Sequence, residues 1–184
     1  MGEIRPDEPS DDDLIAAING GDRQAFARLY YRYRDWAMRL AMRFTRSEAD
    51  SLDVLQETFA YFFRKFPGFR RTAALTTFFY PVVRNLSIAA RRKRERFAGD
   101  DPAIANAPAG PEPGDDPREE LSAVLAGLSE GHREVLLMRF VDDMSMDEIG
   151  QALGIPAGTV KSRLHNAIRQ LEADPRARRY FERP

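Results

Sequence analysis

Between Phe97 and Pro117 the chain reads FAGDDPAIANAPAGPEPGDDP, almost without large apolar side chains. Such a segment buries too little to offset the entropy of ordering it, and its prolines and like charges keep it extended. Whatever folds must fold on either side of it. On both sides apolar residues return every three or four positions, and nowhere do they alternate with the period of a half-buried strand. The expected class is all-α: two helical domains joined by a flexible acidic linker. The boundaries expected are a leader over 1–9, a first domain over 10–96, a linker over 97–117, a second domain over 118–173 and a tail over 174–184.

In the first domain, Ser10 is placed to cap a short helix carrying Leu14, Ile15 and Ile18, which Gly20 and Gly21 end. Asp22 caps a long amphipathic helix in which Phe26, Leu29, Tyr30, Tyr33, Trp36, Ala37, Leu40 and Phe44 recur at helical spacing. Ser47 caps a third helix, expected to bury Leu52, Leu55, Phe59, Phe62, Phe63 and Phe66 and to end at Pro67-Gly68. A loop from Phe69 to Leu75 leads into a fourth helix, from about Thr76 to Arg96. Its inward stripe is expected at Phe79, Val82, Val83, Leu86 and Ala90, with Pro81 early enough in the helix to cost little. The helix ends in the basic run Arg91 to Arg96.

In the second domain Leu121, Val124, Leu125 and Leu128 make one apolar helix face, and Val135, Leu136, Met138, Phe140 and Val141 follow. From Met144 to Leu171 the pattern is two helices about a tight turn. Ser145 and Glu148 have capping-box spacing, with Met144 and Ile149 placed for a hydrophobic staple. Gly154 supplies a left-handed end to the first helix, and Pro156 opens the second. Val160, Leu164, Ile168 and Leu171 are expected as its buried stripe. Thr159, Lys161, Ser162, Arg163 and His165 then lie on other faces, the residue types that reach phosphates and base edges when a helix enters the major groove. The motif is a helix-turn-helix.

Lys and Arg number 28 against 29 Asp and Glu, for a net charge of −1, which excludes a uniformly basic nucleic-acid binder. The charge is instead sorted locally, and local sorting is what steers association with DNA. With no cysteine the chain forms no disulfide or thiolate metal site, and no cofactor is expected. The acidic N-terminus does not resemble a secretory signal, and no run approaches the length of a membrane helix, so a cytoplasmic protein without membrane insertion is expected.

The motifs DLIAAINGGDRQAFARLYYRYRD, DVLQETF (Asp53 to Phe59), TTFFYPVVRN (Thr76 to Asn85), HREVLLMRF (His132 to Phe140) and SMDEIGQALGIPAGTVKSRLHNA (Ser145 to Ala167) occur in this order. Together they resemble the sigma-70 family of bacterial transcription initiation factors, and within it the extracytoplasmic-function (ECF) group that keeps only regions 2 and 4. The resemblance spans Asp13 to Leu171. It implies that Asp53, Gln56, Glu57 and Phe59 belong to the segment that docks on the clamp helices of the largest subunit of core RNA polymerase. It implies that the fourth helix and the loop before it open the −10 element and hold a base flipped from the non-template strand. Arg70, Arg71, Thr72, Phe78, Tyr80, Arg84, Asn85, Arg91, Arg92 and Arg94 supply the cations and flat groups that single-strand capture needs. The helix-turn-helix corresponds to the reader of the −35 element. Promoter DNA and core polymerase are the implied partners, with a regulator such as an anti-sigma factor, though no residue marks where one would bind. Phe78 stands where relatives often have tryptophan, and Arg70-Arg71-Thr72-Ala73-Ala74 where small polar or acidic residues are frequent. Both departures bear on the −10 base preference. Ser129-Glu130-Gly131 also departs from the usual Leu-Pro helix start.

Two other readings compete. A stand-alone helix-turn-helix regulator would explain the second domain and leave the first without a role. A metal-dependent enzyme would have to use Asp142, Asp143, Asp147 and Glu148, but Glu148 is committed to a cap and no histidine converges on them.

Overall fold

The computed structural model describes residues 8–98 and 117–177. Every regular element among them is an α-helix, with no strand. The chain divides into two compact units, Met1–Ala105 and Asn106–Pro184. Most of the expected linker and leader, and tail residues Arg178, Arg179 and Arg183, lie outside the described residues.

Unit 1 holds α1 (Asp11–Asn19), α2 (Arg23–Thr45), α3 (Glu48–Phe63) and α4 (Leu75–Ala98). Each of the first three starts where a side chain satisfies free backbone N–H groups. Ser10 and Asp13 close a capping box on α1, Asp22 accepts from Gln24 and Ala25, and Ser47 accepts from Asp50. Leu14, Ile15 and Ile18 dock α1 on the bundle, and α2 contributes Leu29, Ala37, Leu40 and Ala41 to a core centred on Phe62 and Phe79. The Phe62 ring has Phe66, Phe69 and Phe79 edge-on within 5.2 Å of its centroid. The α2–α3 corner is polar and tight. Arg46 takes a left-handed φ of 52°, and the buried hydroxyls of Thr45 and Ser51 lie 2.7 Å apart.

Two expected faces are corrected. On α3, Leu52 and Phe63 are 45% and 53% exposed. The inward face is Ser51, Val54, Leu55, Thr58, Phe59 and Phe62, a register that includes small hydroxyls. On α4, Phe79 and Val83 are buried as expected, but Tyr80 and Ser87 share the interior while Val82, Leu86 and Ala90 are half-buried.

Unit 2 holds α5 (Pro117–Ala126), α6 (Glu130–Phe140), α7 (Met146–Leu153) and α8 (Ala157–Ala173). Val124, Leu128, Val135, Leu136, Met138, Met144, Ile149, Val160, Leu164 and Ala167 form its core. Arg133 of α6 donates to the carbonyls of Leu125, Ala126 and Leu128 at 2.9, 3.1 and 2.9 Å. It thereby satisfies acceptors left open at the end of α5. Phe140 and Val141, at and just after the end of α6, are 65% and 61% exposed.

Candidate nucleic-acid interface

In unit 2 the turn between α7 and α8 is built from local contacts. The Ser145 N–H donates to the Glu148 carboxylate at 2.7 Å and the Glu148 N–H to Ser145 Oγ at 3.2 Å. Met144 and Ile149, the expected staple, are both buried. Gly154 ends α7 at φ +66°, a conformation that penalises a Cβ. Gly150, which carries no turn signal of its own in the sequence, is the further residue the turn depends on. A Cβ there would stand 2.8 Å from the Ile155 carbonyl oxygen, so the turn closes against α7 only because residue 150 has no side chain.

On α8, Val160, Leu164 and Ala167 face the core, whereas Ile168 and Leu171 are half-buried. The expected stripe is thus rotated toward Ala167, which lets α8 approach its neighbours closely. Lys161, Ser162 and His165 are exposed, and Thr159 and Arg163 are half-buried. Ser162 Oγ donates back to the Thr159 carbonyl at 3.0 Å. The Arg163 guanidinium lies against Gly131, where an added Cβ would meet it at 3.4 Å.

In unit 1 the candidate residues fall on three surfaces. Asp53, Gln56 and Glu57 are exposed on one face of α3, beside exposed Leu52. Phe59 points the other way and is 4% exposed, so it belongs to the core and offers a partner no surface. Between α3 and α4 runs an open groove of ≈ 820 Å³, with Glu57, Tyr61 and Arg64 on one wall and Thr77, Phe78 and Asn85 on the other. Phe78 is half-buried, stacked with Tyr61 at 6.1 Å between centroids. Tyr80 is 2% exposed and packs near Phe44, so in this fold it cannot stack on a base.

The remaining cations of unit 1 differ in their commitments. Arg70 and Thr72 are exposed, as are Asn85, Arg91 and Arg92, while Arg84 is half-buried. Arg91 pairs along the helix with Glu95 at 3.4 Å. Arg94 bridges Asp50 and the Thr45 carbonyl, tying the end of α4 to the α2–α3 corner. Arg71 makes a two-pronged bond to Asp12, through Nε at 2.8 Å and a terminal nitrogen at 2.5 Å. Its guanidinium holds the Asp12 carboxyl below the usual carboxylate value, chiefly through that hydrogen bond. Among the described residues no cluster of acidic or histidine side chains could hold a metal, and no helix is long and apolar enough to cross a membrane.

Comparison with known proteins adds the decisive observation: sigma-70 region 2 matches residues 29–97, and sigma-70 region 4 matches residues 124–173. The chain belongs to the sigma-70 family, in its ECF group. The ECF sigma factor SigW of Bacillus subtilis is 26% identical over 166 residues, covering 82% of this chain and 89% of that protein. The ECF sigma-E factor of Escherichia coli is 28% identical over 173 residues, covering 86% of this chain and 90% of its own. Among solved structures, CnrH in complex with the cytosolic domain of CnrY has a TM-score of 0.64 at 24% identity, covering 87% of this chain and 93% of that one. The sigma factor RpoE of Bartonella quintana, in complex with the anti-sigma factor NepR, has a TM-score of 0.60 at 20% identity, covering 85% and 96%. Both share the fold. Like other sigma factors, this chain acts in transcription initiation.

Proposed function

We propose that the chain confers promoter recognition and strand opening on core RNA polymerase, with the labour divided between its two units. The exposed α3 face of Asp53, Gln56 and Glu57 meets the basic clamp helices of the largest subunit, with Leu52 adding apolar contact. The α3–α4 loop and the outward face of α4, through Arg70, Thr72, Phe78, Arg84, Asn85, Arg91 and Arg92, engage the −10 region as it opens. The α8 face of Lys161, Ser162 and His165, flanked by Thr159 and Arg163, enters the major groove at −35. Some of these side chains touch phosphate and set register without reading sequence. Residues 97–117 serve as the tether between domains at 10–96 and 118–173. The chemistry of RNA synthesis stays with the polymerase, and the site of action is the cytoplasm. A protein regulator is a natural partner, since CnrH and the Bartonella RpoE are each seen with a bound partner.

The observation that carries this reading over a stand-alone regulator is the α3–α4 groove. Its α3 wall includes Glu57 of the proposed polymerase-facing set and its α4 wall Phe78 and Asn85 of the proposed −10 set, a juxtaposition a duplex-only binder has no use for. The test is run-off transcription with core polymerase on a library of fragments from the source genome, mapping RNA 5′ ends. New start sites sharing two upstream motifs are expected. Duplex binding without new starts would favour the stand-alone regulator.

A further inference from the structure

The loop between α3 and α4 is tied to α1, not only to the two helices it connects. Asn19, the last residue of α1, uses both ends of its amide on the loop backbone. Its Nδ2 donates to the Phe69 carbonyl at 2.9 Å, and the Gly68 N–H donates to its Oδ1 at 2.7 Å. Seven positions earlier on the same helix face, Asp12 takes the Arg71 guanidinium in its two-pronged bond. One face of α1 therefore spans the loop from Gly68 to Arg71. Gly68 sits at φ +101°, so its N–H is aimed at Asn19 by a backbone conformation that other residues resist. Phe69 is pinned from the other side by the rings of Phe62, Phe66 and Phe78, at 5.1, 5.3 and 5.4 Å.

The helix that holds the loop is itself held. Leu14, Ile15 and Ile18 are buried, Ser10 and Asp13 close its N-terminus, and Asp11 accepts from Arg32 at 2.7 Å and Tyr33 at 2.5 Å, both on α2. Rigid support of this kind is what a recognition loop requires, because misplacement by about 1 Å degrades a positioned contact.

We propose that α1 is the positioning element of the −10 loop. Asn19 fixes the loop backbone, and Arg71 acts through Asp12 as a latch, leaving Arg70 and Thr72 as the loop's DNA-facing groups. Arg71 carries a cation, as a phosphate contact would, but a planar fork already matched to a carboxylate gives up two charge-assisted bonds if it turns to DNA. This inference rests on the assignment of the loop to the −10 element.

Two measurements on the full-length chain test it. The first reads the Asn19 tie without DNA: amide hydrogen exchange at Gly68 in wild type and in Asn19→Ala. Losing the acceptor should speed that exchange about tenfold, with core-helix amides unchanged. Unchanged exchange at Gly68 overturns the proposal. The second reads function: start-site mapping with core polymerase for Asn19→Ala, Arg71→Asp, Asp12→Arg and the swap Asp12→Arg/Arg71→Asp. The single changes should lower −10-dependent initiation and blur base preference at −10, while core affinity and −35 duplex binding stay at the wild-type level. The swap should recover most of the loss. A swap as defective as Arg71→Asp would make Arg71 a direct DNA contact and overturn the latch. Wild-type start sites retained by Asn19→Ala, with the same −10 preference, would overturn the role of α1 as the positioning element. No start sites with the wild-type chain would instead defeat the promoter reading itself, and this inference with it.

Discussion

The turn of unit 2 and the loop of unit 1 solve the same problem at different distances along the chain. Both hold a short irregular segment still beside the side chains proposed to meet DNA. In the α7–α8 turn every device is local: the Ser145–Glu148 box, Gly154 at left-handed φ, and a Gly150 stripped of its side chain so that Ile155 can close. In the α3–α4 loop the fixing groups come from α1, 49, 50 and 59 residues away in sequence, through Asn19 and Asp12. A local device can be changed only by altering the reading element itself. A remote one lets support and reading surface be altered separately.

The largest expected effect breaks the local side. Gly150→Ala drives a Cβ into the Ile155 carbonyl, and overpacking of this kind costs about 1–3 kcal/mol, more than the gain in helix propensity returns. Unit 2 should lose thermal stability and −35 duplex binding, while core-polymerase affinity, which the proposal gives to unit 1, should not move. An unchanged melting transition in unit 2 would show that the turn relaxes, and that Gly150 is not what sets it.

This difference in distance also explains what could be read from sequence. The capping box, Gly154 and Pro156 act within a few residues of themselves, so spacing alone reveals them. Asn19 and Asp12 look like a helix end and a member of an acidic run until α1 is seen against the loop. The faces that went wrong share one cause. Leu52 and Phe63 were expected inside because they are large and apolar, but α3 turns Ser51 and Thr58 inward instead, and Ser51 finds Thr45 and the Ser47 carbonyl as partners. Phe59, a candidate contact through the family resemblance, and Tyr80, a candidate by residue type, are core by position. Ala167 was passed over for Ile168 because a small residue gives little periodic signal, yet close helix approach favours it.

The next effect separates the units by function. Asp53→Arg reverses the charge of an exposed α3 residue proposed to face the basic clamp helices, and such a reversal should cost about 1–2 kcal/mol, roughly tenfold in core affinity. Duplex binding at −35 should be unaffected. Lys161→Ala should do the converse, weakening duplex binding across sequences and lowering the salt slope by about 1. If both changes acted on the same step, the division of labour between the units would fail. Ser145→Ala removes a cap side chain worth about 1 kcal/mol and should lower the unit 2 melting transition without touching unit 1. A unit 1 transition that moved with it would mean the units do not melt independently.

The smallest effect sharpens the remote side, and it is read from a carboxyl rather than from activity. Asp12 has its folded-state pKa lowered, first by the hydrogen bond from Arg71, while neighbouring Asp13 is lowered by its bonds to Ser10. A lowered carboxyl stabilises the fold at pH values above its unfolded pKa, about 3.9, and that contribution is lost as pH falls through the lower folded value. The latch should therefore be complete from pH 5 to 8 and open only in acid. Titrating both side-chain carboxyls by NMR, Arg71→Ala should raise the Asp12 midpoint toward the ordinary value and leave Asp13 where it is. The two residues share a helix turn and a local charge environment, so a purely local cause would move them together. Divergence on removal of one side chain 59 residues away identifies the pair as the tie between α1 and the loop, and a still Asp12 would mean that the pair does not form in solution.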